Sequence, residues 1–369
     1  MVPLVLLAVG LPFLIVLVTT PVVRAWARRT GFVDSPNETH KAHTVPVSYG
    51  GGIPITVAIV GPIFAGCLLV RSLASTAAPE WLPAVARTHL PGMASRVPEM
   101  LGIAACAAVL HVVGLIDDRR RLGAGVKFAF QLAAALVTSW GLGVRAIEAL
   151  PAAMSIGVTV LWIMLITNAF NFLDNMDGLS AGVAAIAALI FAVTAVRGGQ
   201  IFVPMLALVI AGSLLGFLIY NFSPASIFMG DAGSLVIGYL LSVVTILTTF
   251  YDPTRSVTPM GVVVPIIVFA VPLYDVTSVV IRRLRAGANP FHGDRRHFSH
   301  RLVRAGLSPR GAVLTIYLAT AATGLPAIVL PRLDWTGATL VLVQCGCVVF
   351  LIAILEDSRA GARPEAKRE

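Results

Sequence analysis

Five polar segments interrupt an otherwise apolar chain and hold the side chains best suited to chemistry. They are residues 40–54, 111–123, 168–182, 221–238 and 289–308. The middle three carry aspartates and asparagines, which are oxygen ligands that suit Mg²⁺. The last carries arginines, which fit phosphate oxygens, and histidines, which titrate near neutral pH. These residue types together indicate a metal-assisted reaction of a phosphorylated substrate.

The paired carboxylates of Asp117 and Asp118 lie near the end of the second segment. Adjacent residues of a helix point about 100° apart, so both reach one site only where the helix frays. One interpretation is a solvated helix end, neutralised by the arginines at 119–121. The other is a Mg²⁺ site in which one or two carboxylates share the ion with substrate phosphates. The residues alone leave both open.

The third and fourth segments place further acids at expected helix boundaries. The third holds four polar side chains within ten residues: Asn168, Asn171, Asp174 and Asp177. Four exceed what helix capping requires. In the fourth, Asp231 stands among small residues at the expected start of a helix. The helix dipole explains a carboxylate there, and so does a metal site beside a backbone that a pyrophosphate can approach.

The fifth segment supplies positive charge. Its basic residues are His292, Arg295, Arg296, His297, His300, Arg301 and Arg304. The excess of basic residues in cytoplasmic loops accounts for the arginines. It does not account for three of the chain's seven histidines within nine residues. A zinc site is the less favoured alternative, because no cysteine lies nearby and carboxylates suit a harder metal.

Composition defines the elements that must position these segments. The 369 residues are 57% hydrophobic and only 12% charged, whereas an ordinary soluble domain carries about 25% charged residues. Apolar runs long enough to cross a bilayer, roughly 17–25 residues, lie near 2–22, 48–70, 99–116, 127–144, 154–170, 179–197, 201–220, 232–251, 260–281, 311–331 and 335–355. We predict an all-α integral membrane protein with about 10–11 transmembrane helices. It has one catalytic domain at 1–356 and a short cytoplasmic tail at 357–369.

The lysines and arginines predict the orientation of the chain. With the N-terminus outside, the inner segments hold 20 of the 27 basic residues, as expected for cytoplasmic loops. The C-terminus and all five polar segments then lie on the cytoplasmic face. Because topology accounts for the basic excess, no nucleic-acid partner is expected. Asp275, inside the ninth apolar run, is expected either to pair with Arg282 or Arg283 or to support the active site.

Two other classes of protein share parts of this pattern. A secondary transporter shows inverted repeats and polar residues at the membrane midplane, whereas this chain has no evident internal repeat and gathers its polar residues at one interface. A CDP-alcohol phosphotransferase is also rich in aspartate, but its acids form one run on adjacent helices. The spread over several loops favours an enzyme that joins a water-soluble donor to a lipid acceptor.

In order and content, the five segments resemble those of the polyprenyl-phosphate N-acetylhexosamine-1-phosphate transferase family. The resemblance extends from about Gly31 to Ser308, and its strongest matches are NAFNFLDNMDGLSAG (168–182) and FMGDAGS (228–234). It implies transfer of N-acetylglucosamine 1-phosphate, or another N-acetylhexosamine 1-phosphate, from a UDP-sugar to undecaprenyl or another polyprenyl phosphate, with release of UMP. The basic loop DRRHFSH (294–300) is more similar to the GlcNAc-type branch than to the MurNAc-pentapeptide branch, which is the alternative.

The resemblance also implies roles for individual residues. Catalytic roles fall on Asp117, Asp118, Asp174, His297 and His300. Substrate-binding roles fall on Lys41, His43, Asn168, Asp177, Arg295, Arg296 and Arg301. The metal ligands are Asp231, Asn171 and Asp118.

The same resemblance implies a cofactor, a location and a pathway class. The cofactor is Mg²⁺, with Mn²⁺ as a substitute, and the location is the bacterial inner (cytoplasmic) membrane, with a homodimer as one assembly. The product would start a cell-envelope glycan such as a lipopolysaccharide or a teichoic acid. Two departures make the donor sugar the least defined feature. Asn175 replaces the glycine usual between two aspartates, and Ser48-Tyr49 replace the usual Pro-Arg before the glycines.

Overall fold

The computed structural model describes residues 2–34, 46–75, 84–285, 287 and 297–357. Over these residues the fold is a bundle of helices with one two-stranded antiparallel sheet. In chain order the elements are α1 (Val2–Arg29), β1 (Val33–Asp34), β2 (Val47–Ser48), α2 (Gly52–Ala74), α3 (Ala84–Ser95), α4 (Val97–Arg120), α5 (Ala124–Leu136), α6 (Ala152–Leu173), α7 (Leu179–Arg197), α8 (Phe202–Asn221), α9 (Asp231–Leu247), α10 (Val264–Val268), α11 (Ala270–Arg285), α12 (Phe298–Arg304), α13 (Pro309–Ala327) and α14 (Trp335–Asp357).

The number of spanning helices is smaller than the sequence predicted. Among the described residues, eight helices are long and apolar enough to cross a membrane. A ninth span results if the bent pair Pro259–Val268 and Ala270–Arg285, which meet at 64°, is counted as one. Counted by length and composition, these spans are fewer than the 10–11 predicted, because α5 has 13 residues before a π-helical turn at Val137–Gly141 and α9 has 17 residues. The all-α membrane class itself is confirmed.

The outer surface of the bundle is apolar, the reverse of a soluble protein. Large apolar side chains that are more than half exposed occur on α1, α6, α13 and α14; they include Leu6, Val18, Leu161, Leu318, Leu340 and Phe350. Exposed apolar area on this scale marks a surface made for a partner or a membrane. Together with the spanning helices, it makes the chain a multi-pass membrane protein.

Helix α9 lies at the centre of the bundle, packed against α2, α4, α6 and α7. Every residue from Ala232 to Thr245 is buried. Its small residues at 232–234, 238 and 242 let neighbouring backbones come close, as is common between membrane helices. The central helix therefore carries Asp231, its first residue, to one end of the bundle and holds it there.

A short strand-like contact braces the same end of the bundle. Ser48 of β2 pairs with Ile227 in a parallel bridge. The backbone nitrogens of Gly51 and Gly52 donate to the carbonyl oxygens of Phe228 and Met229 at 2.9 and 3.0 Å. The first polar segment therefore fixes the residues that lead into Asp231.

Candidate active site

The carboxylate of Asp118 holds the first turn of α9. Asp118 Oδ1 accepts a hydrogen bond from the backbone nitrogen of Asp231 at 2.8 Å, and Oδ2 accepts one from that of Ala232 at 3.2 Å. The first amides of a helix have no partner within the helix. Here a side chain from α4 provides one, in the position where the helix dipole favours negative charge. Asp118 thus joins the end of α4 to the start of α9.

Lys127 forms the ionic centre of the cluster. Its ammonium nitrogen lies 3.0 Å from Asp117 Oδ2 and 2.7 Å from Asp231 Oδ2. All three side chains are largely shielded, with 23%, 13% and 23% of their surface exposed for lysine, Asp117 and Asp231. The second oxygen of Asp117, Oδ1, is buried and accepts no hydrogen bond. An unpaired buried acceptor is costly, so this oxygen is suited to a proton or a cation.

Asn171 completes the contacts of Asp231. Its Nδ2 donates to Asp231 Oδ1 at 2.9 Å and to the Ser234 hydroxyl at 3.0 Å. Asn171 lies in the last turn of α6, so α4, α5, α6 and α9 all contribute to one cluster. The adjacent loop residue Asp174 faces the same cluster. Burial, followed by the negative charges of Asp231 and Asp118, raises the pKa of Asp174 well above its ordinary value.

Two glycines make this close approach of helices sterically allowed. A Cβ on Gly114 of α4 would lie 2.5 Å from the carbonyl oxygen of Asp231 and from the backbone nitrogen of Ala232. A Cβ on Gly52 of α2 would overlap the carbonyl carbon of Ala232. Any larger residue at either position would push the start of α9 away from Asp118.

Asp275 of α11 holds the start of α12, where His297 lies. His297 Nδ1 lies 2.9 Å from Asp275 Oδ2, and the backbone nitrogen of Phe298 donates to Asp275 Oδ1 at 2.7 Å. Asp275 is 1% exposed and His297 6% exposed. Of the two roles expected for Asp275, the structure favours support of the loop, since both oxygens face the start of α12.

The remaining predicted residues lie beside the cluster or beyond the described chain. Asn168 Nδ2 donates to Gln131 Oε1 at 2.6 Å, and Asp177 Oδ2 accepts from the Ala225 nitrogen at 2.9 Å. Arg301 Nη2 donates a hydrogen bond to the Ser278 hydroxyl at 2.8 Å. His300 is half-buried on α12. Lys41, His43, Arg295 and Arg296 lie outside the described residues. The catalytic role assigned to His300 and the substrate-binding roles assigned to the others remain predictions.

The donor set fits a hard cation that also binds substrate phosphates. Within the described ranges, no three His, Cys, Asp or Glu side chains converge tightly enough to hold a metal on their own. Mg²⁺ normally takes only one or two carboxylates and completes its shell with water and phosphate oxygens. Asp117 Oδ1, which accepts no hydrogen bond, and the Asp231 carboxylate, which is bound by Lys127 and Asn171, would supply that number. The metal roles of Asp231, Asn171 and Asp118 remain predictions, and Asp118 is already engaged as a cap.

Lys127 is the member of the cluster that sequence analysis missed. The distribution of charge predicts for it only a topological role, as one of the 20 basic residues of the inner segments. The available signal was its position in the first turn of an apolar helix, ten residues after Asp117. A lone ammonium near lipid depth requires a partner, and two carboxylates were predicted in the neighbouring segments.

Comparison with known proteins identifies the family of the chain. The Glycosyl transferase family 4 model matches residues 100–249. A probable undecaprenyl-phosphate N-acetylglucosaminyl 1-phosphate transferase of Bacillus subtilis is 34% identical over 93% of this chain and 89% of its own length. The decaprenyl-phosphate N-acetylglucosaminephosphotransferase of Mycobacterium tuberculosis is 37% identical over 80% of this chain and 75% of its own. The undecaprenyl-phosphate alpha-N-acetylglucosaminyl 1-phosphate transferase of Escherichia coli K12 is 27% identical over 81% and 76%.

Fold and site together define a multi-pass membrane protein with a carboxylate–lysine cluster at one end of its helix bundle. The similarity to the Bacillus protein covers nearly the whole chain, including every helix of that cluster. The chain belongs to the polyprenyl-phosphate N-acetylhexosamine-1-phosphate transferase family. These relatives favour neither the MurNAc-pentapeptide branch nor a transporter.

Proposed function

We propose that this protein transfers N-acetylglucosamine 1-phosphate from UDP-N-acetylglucosamine to a polyprenyl phosphate, giving a polyprenyl diphosphate sugar and UMP. The observation that carries the proposal is the shared ammonium of Lys127, 2.7 Å from Asp231 and 3.0 Å from Asp117. In this proposal, its positive charge and hydrogen-bond donors lie where the two phosphorylated substrates meet. Relatives similar over most of the chain are named for a polyprenyl-phosphate acceptor and for N-acetylglucosamine phosphate.

The reaction forms one phosphorus–oxygen bond and breaks another. An oxygen of the lipid phosphate attacks the phosphorus that bears the sugar, and the bond from that phosphorus to the bridging oxygen breaks, so that UMP leaves with the electron pair. Catalysis of such a transfer is mainly positioning and neutralisation of charge. Mg²⁺, which the oxygen donors of this site suit, would supply further neutralisation of the phosphate oxygens when bound.

Each residue of the cluster has a part in that scheme. Asp117 Oδ1, which accepts no hydrogen bond, is placed to take the proton of a monoprotonated acceptor phosphate. Lys127 is placed to neutralise phosphate oxygens and to offset the repulsion between the two carboxylates. Asn171 fixes the rotamer of Asp231 through the 2.9 Å hydrogen bond. His297 and the arginines of the fifth segment are proposed to contact the donor pyrophosphate.

The orientation and location follow from the same proposal. The cluster gathers, at one end of the bundle, residues from the end of α4, the start of α5, the end of α6 and the start of α9: Asp118, Lys127, Asn171 and Asp231. The chain therefore leaves this end along α5 and returns to it along α6, and it leaves again along α9. Helices α5 and α9 must therefore run the depth of the bundle, despite their shortness. If both are counted with the nine spans, the total is eleven. This odd number is compatible with the predicted N-terminus outside and C-terminus in the cytoplasm. We place the enzyme in the bacterial cytoplasmic membrane, where nucleotide sugars reach only the cytoplasmic face.

A donor panel tests the proposal directly. Purified protein in detergent, with undecaprenyl phosphate and Mg²⁺, is given radiolabelled UDP-N-acetylglucosamine or UDP-N-acetylgalactosamine, and the lipid phase is extracted and counted. We expect label in the lipid phase from the first donor at a rate at least tenfold above the second. Transfer from the second donor alone would keep the reaction class and change the sugar. Absence of lipid-linked label with every donor, from folded protein, would refute the proposal.

A further inference from the structure

Asp275 has both oxygens committed to the start of α12. Oδ2 lies 2.9 Å from His297 Nδ1, and Oδ1 accepts from the Phe298 backbone at 2.7 Å. An ionised carboxylate can only accept hydrogen bonds, so Nδ1 of His297 must carry a proton and donate it. The imidazole is therefore held in one orientation, and Nε2 is the ring nitrogen left for a substrate. This is how carboxylates orient histidines in many active sites.

A second brace joins the same turn to the third polar segment. The Ser299 hydroxyl donates a short hydrogen bond to Asn175 Oδ1. Asn175 Nδ2 in turn donates to the Phe172 carbonyl oxygen at 2.7 Å. Asn175 directly follows Asp174, and it stands where the family resemblance leads us to expect glycine. A glycine has no side chain for Ser299 to contact, so this brace is a property of this chain.

An aromatic contact packs the imidazole against the last turn of α6. The rings of His297 and Phe172 meet edge to face, with centroids 6.0 Å apart and an interplanar angle of 73°. The buried Arg283 guanidinium lies 5.9 Å from the same Phe172 ring. Phe172 directly follows Asn171, which binds Asp231. The imidazole is thus held between the end of α6 and Asp275 of α11.

We propose that Asp275 is a positioning residue for the transfer reaction, fixing His297 with Nε2 available to the donor pyrophosphate, and that Asn175 with Ser299 sets the distance from this histidine to the Asp174 loop. This inference rests on the proposed function for the identity of the substrate. A purely structural Asp275 would only hold α12 in place. The two roles differ in what happens to a folded variant that lacks the carboxylate charge.

The test compares Asp275→Asn with a matched control, Asp334→Asn. Asp334 also accepts a backbone hydrogen bond at a helix start, from Gly337 at 2.8 Å, but it lies at α14. An amide at position 275 can still accept from Phe298, so the helix start remains held. Its NH₂ group would donate to Nδ1, which forces the neutral ring to carry its proton on Nε2. The variant therefore changes the state of the imidazole with little change in shape.

We expect Asp275→Asn to lower kcat at least tenfold with a KM for the UDP-sugar within threefold of wild type and an unchanged melting temperature. Asp334→Asn should match wild type. His297→Ala should lose as much activity as Asp275→Asn, and the double variant should be no slower than His297→Ala. Asn175→Gly and Ser299→Ala should each lower kcat, and together no further. Wild-type kcat in Asp275→Asn, or losses that multiply in the double variant, would overturn the proposal.

A spectroscopic measurement separates this inference from the proposed function. In protein labelled with ¹⁵N-histidine, the His297 signals are assigned by their loss in His297→Gln. We expect wild type to show a protonated Nδ1 and Asp275→Asn to shift that proton to Nε2. This result is independent of turnover. If wild type transferred no sugar phosphate, the proposed function would fail, and the tautomer would still report on Asp275. An Nδ1 without a proton in wild type would overturn the positioning role.

Discussion

Asp118 caps the helix that Asp231 begins, with its two oxygens accepting hydrogen bonds from the first backbone amides of α9 at 2.8 and 3.2 Å. The two aspartates were expected to share a metal ion. In the structure they have different relations to the backbone: Asp118 binds it, while Asp231 directs its carboxylate to Lys127 and Asn171. Substitution of Asp118 should therefore affect stability, whereas substitution of Asp231 should mainly affect catalysis.

Substitution of the two aspartates should have opposite effects on stability. Asp118→Ala leaves two shielded amides without partners and should destabilise the protein by about 1–3 kcal/mol, seen as a lower melting temperature in detergent. Asp231→Asn keeps the hydrogen bond from Asn171 and removes one of several clustered negative charges, so its melting temperature should stay at or above that of wild type. Both variants should lose activity. Equal destabilisation by the two would contradict the capping role of Asp118.

Lys127 and Asp117 should behave as one unit in a double-mutant cycle. Lys127→Met removes the ammonium shared by two carboxylates, and Asp117→Asn removes one of its partners. Each should lower kcat by about 100-fold or more, since removing a single charge-stabilising group commonly costs that much. The double variant should be far less impaired than the product of the single losses, because interacting groups are not additive. The exposed pair Arg255 and Asp252, 3.7 Å apart, provides the control cycle, with no coupling expected.

Gly114 should tolerate no side chain. In Gly114→Ala the added methyl group would meet the backbone of Asp231 and Ala232 at 2.5 Å, so α4 and α9 must separate and Asp118 loses its contacts. We expect activity to fall at least tenfold even though alanine favours helix by about 1 kcal/mol over glycine. Gly61→Ala is the matched control, because nothing lies within 4 Å of a Cβ at that helical position. Full activity in Gly114→Ala would show that the approach of these helices is not required.

Cysteine accessibility should establish the orientation. The background is Cys347→Ser, since Cys347 is exposed while Cys67, Cys106 and Cys345 are buried. Val257→Cys, in an exposed loop after α9, should react with a membrane-impermeant thiol reagent added to intact cells. Arg304→Cys, at the exposed end of α12, should react only after the cells are opened. The reverse pattern would place the site outside and exclude cytoplasmic nucleotide sugars as donors.

Sequence reasoning found the acids of the site more readily than their arrangement. Runs such as 168–182 stand out because polar residues are rare in this chain, and Asp117, Asp118, Asn171 and Asp231 do converge. Their partners did not follow from local pattern. The capping of α9 by Asp118 joins residues 113 positions apart, and the bond from Lys127 to Asp231 joins residues 104 positions apart. Such contacts depend on how the helices pack.

The number of long helices was also beyond what local sequence pattern could predict. A run of hydrophobic residues indicates only that a segment is long and apolar enough to cross a membrane, so residues 127–144 were predicted to form one span. The chain instead leaves the α-helix at Val137 for a π-helical turn, which periodicity does not reveal. Asp275 was placed in a span with two candidate arginine partners. Its contacts with His297 and Phe298 could not be predicted from local pattern, because they join residues 22 and 23 positions apart.

Release of UMP tests the central claim most directly. Purified protein receives UDP-N-acetylglucosamine with and without undecaprenyl phosphate and with and without Mg²⁺, and UMP is measured for wild type and for Asp231→Ala. The account predicts UMP only when both the lipid phosphate and Mg²⁺ are present, restoration by Mn²⁺ after chelation, and a loss of at least 100-fold in Asp231→Ala, in the range found for removal of single catalytic groups. UMP release that persists in folded Asp231→Ala, or that needs no lipid phosphate, would contradict it.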